Sequence, residues 1–350
     1  MNDNSAAKHL VGLTLDDQWV IKKKLERGDN DTGSFFSVGY IAEKNGKEYF
    51  LKAFNLGRFF SMSASSSVMD AIHEMTEAYR YERDLSEHCK NKHVTKVAFV
   101  QGYGEAQISG FIYGTVPYLI FQLANGDVRN ALESSENLDY AWRFKSLHDI
   151  AIGLKQLHKV KVSHQDLKPS NILLYDKESK LGDLGRSVCE DIHSAYSNMS
   201  FTGDLTYAPP EIMYRNNNSN KYALDCYMLG SLTVFYFTGV TMNGLLLQHI
   251  AHEHKPDKWM GGDYSSIEPY IINAFEEALE DFLDNIKKES YRDELLFLVK
   301  NLCNPIVHKR GHPKNILSNS KNNYNLERFI SKLDLLRHKA EISTRGFQNG

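Results

Sequence analysis

Four polar residues of this 350-residue chain fall close together: Asp166, Lys168, Asn171 and Asp183. An aspartate such as Asp166 can receive the proton of an attacking hydroxyl. Lys168, two positions on, can neutralise a phosphoryl group as it moves. Asn171 and Asp183 offer hard oxygen donors, which suit Mg²⁺ and its near-octahedral geometry. The chemistry this set describes is phosphoryl transfer, which depends on positioning and charge stabilisation.

Such a set works only if the chain brings it together. The run His164-Gln165-Asp166-Leu167-Lys168-Pro169-Ser170-Asn171 follows a helical pattern over residues 140–159. There Leu147, Ile150, Ala151, Leu154 and Leu157 share one face. Two short apolar runs come next, Ile172-Leu173-Leu174 and Lys180-Leu181-Gly182, and the second leads into Asp183-Leu184-Gly185. Paired as strands, they form a platform holding Asp166, Asn171 and Asp183 within reach of one metal cluster. His164 reads as a packed anchor and not as an acid or base.

Upstream, residues 19–54 are strand-like, with turns at Gly28-Asp29-Asn30 and Asn45-Gly46. The second turn predicts a hairpin between residues 38–42 and 48–53. Residues 61–67 are Ser-rich and read as a mobile, solvated linker. Residues 68–90 read as a helix with Met75, Ala78, Tyr79, Leu85 and Cys89 on one face. Glu82 falls inside that stripe and Glu77 points roughly the opposite way. A carboxylate on a buried face needs a partner. Strand-like runs follow at 98–103, 110–114 and 118–123, then helices at 221–239, 268–288, 291–303 and 324–341. A strand-rich first third and a helix-rich remainder predict two unlike lobes.

The segments at 164–171 and 183–185 resemble the catalytic and metal-binding loops of the eukaryotic-type (Hanks-type) Ser/Thr protein kinase family. Gln165 stands where most members carry Arg. The resemblance covers about residues 14–335. It implies an α+β bilobal kinase fold, with an antiparallel-sheet lobe plus one helix (14–122) and a mainly helical lobe (123–335). A hinge at about 122–126, a loose leader at 1–13 and a tail at 336–350, read as a frayed end, complete the expected organisation.

The resemblance implies catalytic roles for Asp166, Lys168, Lys52 and Glu82. Lys52 ends Tyr49-Phe50-Leu51-Lys52, which is similar to the family's Val-Ala-Ile-Lys strand, and Glu82 is its expected ion-pair partner. Asn171 and Asp183 would hold Mg²⁺, with Mn²⁺ as an alternative. ATP would be contacted by Gly28, Gly33, Phe35, Val38, Lys52, Phe121, Gln122, Leu123, Ala124 and Asp127. The stretch from Gly28 to Val38 only partly resembles Gly-x-Gly-x-x-Gly-x-Val, because Phe36 replaces the third glycine. Phe121 would close the back of the pocket. Backbone groups of Gln122 and Leu123 or Ala124 would bond the adenine edge. Asp127 would bond the ribose or start the next helix.

A Lys two residues after the catalytic Asp is the family's Ser/Thr-directed pattern. Gly203-Asp204-Leu205-Thr206-Tyr207-Ala208-Pro209-Pro210-Glu211 resembles the substrate-docking segment, with Asp204 in place of Thr and Pro209 in place of Ala. Asp225 and Arg310 match structural residues, and Arg310 would pair with Glu211. Where the family carries Arg, that residue pairs with a phosphate on the activation segment; Gln165 cannot. Activity without such phosphorylation is therefore expected, although Ser187, Ser194, Ser197, Ser200 and Thr202 remain available for modification.

Composition narrows the alternatives. The 42% hydrophobic and 24% charged content is that of a globular protein. A net charge of −3 gives no case for nucleic-acid binding. No apolar run approaches the ~20 residues that cross a bilayer, so no membrane is expected, and residues 1–8 lack a signal-peptide core. The four cysteines are scattered without metal-ligand spacing, which fits the cytoplasm. The expected partners are protein substrates, including the chain itself. A pseudokinase scaffold and a small-molecule kinase of the aminoglycoside type are the alternatives. Lys168 and Pro210-Glu211 favour protein substrates.

Overall fold

The computed structural model describes residues 5–26, 36–62, 67–134, 139–193, 199, 201–216, 220–318 and 323–348. The first lobe is a six-stranded antiparallel sheet in the order β1-β2-β3-β4-β6-β5. Its strands are β1 (Thr14–Leu15), β2 (Trp19–Lys24), β3 (Ser37–Lys44), β4 (Lys47–Phe54), β5 (Val100–Gln107) and β6 (Thr115–Gln122). The predicted hairpin joins β3 to β4 with Lys44 opposite Lys47. Asn45 (φ 54°) and Gly46 (φ 71°) are both left-handed, as the tight turn between right-twisted strands requires.

Alternation divides this sheet into two faces. Val38, Tyr40 and Ala42 on β3, with Leu51 and Ala53 on β4, point into one core with Ile21, Val116 and Ile120. Residues 5–13 are not a loose leader there. Ala6, Ala7 and Leu10 are buried in that core, and the Tyr40 hydroxyl donates to the Ala7 carbonyl at 2.7 Å. The reason is the sheet face itself, which would otherwise meet water. The opposite face is covered by α1 (Leu56–Met62) and α2 (Val68–Asn91), which enclose Phe54, Phe59, Met75, Tyr79 and Leu119. The Ser67 side chain accepts from the Asp70 N–H and caps α2. Of the Ser-rich linker, residues 63–66 lie outside the described residues.

The strand expected at 110–114 is instead the turn between β5 and β6. Gly110 is left-handed (φ 86°), Ile112 is 94% exposed, and the Ile108 N–H bonds the Gly114 carbonyl at 2.9 Å. Ile112 and Tyr113 point to water, and only Phe111 reaches the outer core, beside His9.

The second lobe contains α3 (Val128–Ser134), α4 (Tyr140–Lys159), α5 (Pro210–Met213), α6 (Lys221–Thr238), α7 (Met242–His249), α8 (Tyr264–Asp284), α9 (Arg292–Leu302), α10 (Pro313–Leu317) and α11 (Glu327–Gln348). α6 is buried on every side from Ala223 to Tyr236 and forms the axis of the lobe. α8 begins earlier than the pattern predicted, because the Asp263 side chain caps it by accepting from the Ser265 N–H; Pro269 lies inside the helix. α11 runs on through residues expected to be frayed: Leu336 and Ala340 are buried in the core of this lobe. Short strands β7 (Gly126–Asp127), β9 (Ile172–Tyr175) and β10 (Glu178–Leu181) form one small sheet, and β8 (Val162–Ser163) pairs with β11 (Val188–Cys189).

Arg310 and Glu211 are both fully buried and meet side by side, Nη1 to Oε1 at 2.7 Å and Nη2 to Oε2 at 2.9 Å. Burial disfavours the cation, but the Glu211 carboxylate outweighs it and holds Arg310 protonated above its ordinary value. Two carbonyls, Asn304 and Ala223, take further guanidinium donors at 2.9 and 3.2 Å. Glu211→Ala would leave a buried cation without a counter-charge. A loss of about 3–5 kcal/mol is expected, read as a lower midpoint in urea denaturation.

Candidate active site

The β9–β10 hairpin sets the geometry. Leu181 pairs with Ile172, so Asn171, just before β9, and Asp183, just after β10, emerge at the same end. The Gly182 N–H donates to the Asn171 carbonyl at 2.8 Å and locks this junction. The loop at 164–171 is held from below by Asp225 of α6. Its two oxygens accept the His164 N–H and the Gln165 N–H, each at 2.9 Å, and His158 Nε2 lies 2.7 Å from Oδ2. Burial would raise the Asp225 carboxyl; His158 and these donors prevail and lower it. His164, fully buried, joins the loop to the strand before Asp183 through Nε2 and the Gly182 carbonyl, at 3.1 Å.

Lys52 brings the two lobes together. It stands on β4 opposite Gly39 and Leu119, on the face that meets α2. Its Nζ lies 2.8 and 3.0 Å from the two Glu82 oxygens and 2.9 Å from Asp183 Oδ1. Glu82 is 3% exposed, while Glu77 is half-buried on another side of α2. Burial works against all three charges. For Lys52 the two carboxylates prevail and raise its pKa. For Glu82 burial prevails over Lys52, and the Asp183 charge adds to it, so its carboxyl is pushed up. For Asp183 burial is outweighed by Lys52, with help from Lys168, which holds the carboxyl down to about 2. Asp183 itself is left-handed (φ 55°), a strained conformation for aspartate that aims it at Lys52.

Asp166 is held by several groups at once. The Asn171 side-chain nitrogen donates to its carbonyl at 2.8 Å and to Oδ2 at 2.9 Å. Lys168 Nζ lies 3.1 Å from the same Oδ2. The Asp204 backbone N–H reaches Oδ1 at 3.1 Å. The residue that departs from the family's Thr therefore touches Asp166 through its main chain. Its carboxylate accepts from the Thr206 N–H at 2.9 Å and lies 3.9 Å from Lys168.

The segment before Asp204 presses on Gln165, which is left-handed (φ 58°) and buried. The buried Thr202 hydroxyl is shared between Gln165 Oε1, at 3.3 Å, and the Arg186 carbonyl. A Cβ on Gly203 would fall 1.9 Å from the Gln165 carbonyl oxygen. The approach is so close that only glycine fits. Ser187 is buried with its hydroxyl on the His164 carbonyl, whereas Ser194, Ser197 and Ser200 lie outside the described residues.

A cavity of about 300 Å³ opens between the lobes. Phe121, Gln122, Leu123, Ala124 and Asp127 line one side, and Lys52, Asn171 and Asp183 its polar end. Both Asp127 oxygens accept from Asn130, from its N–H at 3.0 Å and its side chain at 2.8 Å, so Asp127 also starts α3. A second cavity of about 280 Å³ continues from Lys52 to Asp166, Lys168, Arg186 and Asp204. Gly28, Gly33 and Phe35 lie outside the described residues. Val38 is not brought to the cavity. It pairs with Ala53, so strand parity turns it into the outer core, and Gly39 takes the cavity face opposite Lys52. Sequence reasoning missed Leu25, Phe50, Ala98 and Leu173 on the cavity wall. Leu173 was within reach of period-two counting from Asn171; the others depend on how strands pair.

A family model described as the protein kinase domain matches residues 40–321. The chain is 25% identical over 243 residues to an Aurora kinase of Debaryomyces hansenii, covering 67% of this chain and 55% of that one. It is 27% identical over 207 residues to the inhibitor of nuclear factor kappa-B kinase subunit alpha of Xenopus tropicalis, covering 57% and 25%. With an Aurora kinase of Schizosaccharomyces pombe it shares 36% identity over 126 residues, 35% and 34% of the two chains. The chain thus spans about half the length of these relatives or less. A crystal structure of a kinase domain matches with a TM-score of 0.58 at 16% identity, covering 90% of this chain and 97% of the other, a likeness of fold.

Gly203→Ala tests the close packing on Gln165. The added carbon meets backbone, which cannot turn aside, so a cost of about 1–3 kcal/mol is expected. Thermal unfolding with and without the substitution measures it; an unchanged midpoint would contradict the contact.

Proposed function

This chain belongs to the protein kinase domain family, and from that premise we propose that it transfers the γ-phosphoryl of ATP to Ser or Thr hydroxyls of proteins. The observation that carries the proposal is the Lys52 ammonium held between Glu82 and Asp183 at 2.8–3.0 Å, beside the Asp166 loop. It unites residues far apart in sequence in the arrangement that phosphoryl transfer needs.

Asp166 is the base in this reading. Its carboxylate, oriented by Asn171 and the Asp204 N–H, takes the proton of the acceptor hydroxyl. Lys168 stabilises negative charge on the phosphoryl oxygens as the bond to the acceptor forms. Lys52 fixes the phosphates from the other side, and the surrounding walls limit water. The apolar end of the cavity suits the base of ATP, with the main chain at Gln122–Ala124 on its edge.

The residues present also suit Mg²⁺. Asn171 turns its amide nitrogen to Asp166, which leaves Oδ1 as its donor end, and Asp183 adds a carboxylate. Among the described residues no cluster of three His, Cys, Asp or Glu side chains forms a metal cage. An amide and a carboxylate completed by phosphate oxygens and water fit the habits of Mg²⁺, with Mn²⁺ as a substitute. When bound, the ion neutralises charge on the phosphates. The four buried thiols fit a reducing, cytoplasmic setting.

The activation segment is the second part of the reading. Thr202 and Gly203 dock on Gln165 through neutral contacts, so this kinase works without a phosphate there. Phosphatase treatment is expected to leave its turnover unchanged; loss of activity would overturn that part.

Asp166→Asn should lower kcat for phosphorylation of a generic protein substrate by about 10²–10⁴-fold while nucleotide binding persists. Autophosphorylation with labelled ATP gives the same readout. A wild type that binds ATP without turning it over would point to a scaffold.

A further inference from the structure

We propose that Gly39 and Phe50 act as a matched pair that shapes the base end of the nucleotide site, making Phe50 a residue that sets base selectivity. The inference rests on the kinase reading above. Gly39 lies opposite Lys52 on the cavity face of the sheet, and Phe50, two residues before Lys52, shares that face. A Cβ built on Gly39 would sit 3.0 Å from Phe50 Cε2, 3.5 Å from Phe50 Cζ and 3.5 Å from Leu25 Cδ1. The Phe50 ring therefore lies back over the bare backbone of β3. Gly39 is not among the glycines with positive φ, so what its missing side chain supplies is room for the Phe50 ring and not backbone freedom. A glycine inside a strand marks just such a close approach.

The ring faces the cavity together with Leu25, Ala98 and Phe121, while Leu173 contributes from the second lobe. Phe50 and Phe121 are partners across β4 and β6, with centroids 6.3 Å apart and planes at 39°. The similar family strand has Ala where Phe50 stands. A phenyl ring there would fill the slot if it projected straight out. With its edge over Gly39, the ring lines an open cavity beside Phe121 and Leu173. A planar purine entering between Phe50 and Leu173 gains stacking, for which about tenfold in affinity is an ordinary effect. Smaller pyrimidines cover less of the ring and bind more weakly.

The test is a double-mutant cycle on the full chain, reading equilibrium binding of ATP, ADP and CTP. Phe50→Ala alone is expected to weaken ATP and ADP about tenfold and to narrow their margin over CTP. Gly39→Val alone should weaken ATP at least as much, by driving the ring into the slot. The double variant should bind ATP more tightly than Gly39→Val alone, because the displaced ring is gone. Gly39→Ala serves in the same cycle if the valine variant does not fold, with thermal melts of each variant as the check. Wild-type binding of ATP with additive effects of the two substitutions would overturn the pair and leave the kinase reading standing. A wild type that binds no nucleotide would overturn both.

Discussion

Lys52 places a single ammonium between two carboxylates that come from different parts of the chain, Glu82 on α2 and Asp183 beyond β10. Lys52 and Glu82 are almost wholly withdrawn from water and Asp183 is partly so, and removing one partner would leave a buried charge uncompensated. Two carboxylates share one cation, and the sharing is unequal: Asp183 is held strongly ionised while Glu82 is pushed up. That balance ties the position of α2, the β4 strand and the segment after β10 to one point. The remaining site residues are arranged around it. A divalent ion at Asp183 and Asn171 would add the positive charge that this cluster lacks.

The segments that meet at this point are held in conformations they would not choose alone. Gln165 and Asp183 both carry left-handed backbones, which cost energy in residues with a Cβ. Asp225 fixes the first through two backbone N–H groups, and the Gly182–Asn171 bond holds the second. Gly203 lets the later segment lie directly on the Gln165 carbonyl. The strain is thus held by a rigid base, α6 and the small hairpin, and not by the loops themselves. The Arg310–Glu211 pair does similar work further out, anchoring the segment that follows Asp204.

The loop at 164–171 was legible because its residues are neighbours in the chain. Asp166, Lys168 and Asn171 hold their relation whatever the rest of the protein does, and two short apolar runs were enough to place Asp183 beside them. Glu82 was legible for a different reason. Helical periodicity turns sequence spacing into a face, and a carboxylate on an apolar face needs a cation. The docking of residues 5–13 was missed although Ala6, Ala7, Leu10 and Leu13 offer apolar side chains there, because so short a run carries no clear period by which to assign it a face. The turn at 110–114 misled in the opposite sense, because three apolar residues in a row imitate a strand, whereas only Phe111 packs on the core.

What the sequence by itself determined is therefore local: the loop chemistry, the hairpin at Asn45-Gly46, the helix carrying Glu82 and the two-lobed division. Tertiary structure decided what depends on pairing. A shift of one residue in strand register exchanges the faces of a sheet, and it is register that turned Val38 into the outer core and set Gly39 opposite Lys52. Register likewise brought Phe50 beside Phe121 and over Gly39. The groups proposed to act on phosphate lie close together in the chain, but the walls of the cavity came from strands whose alignment only the folded sheet defines.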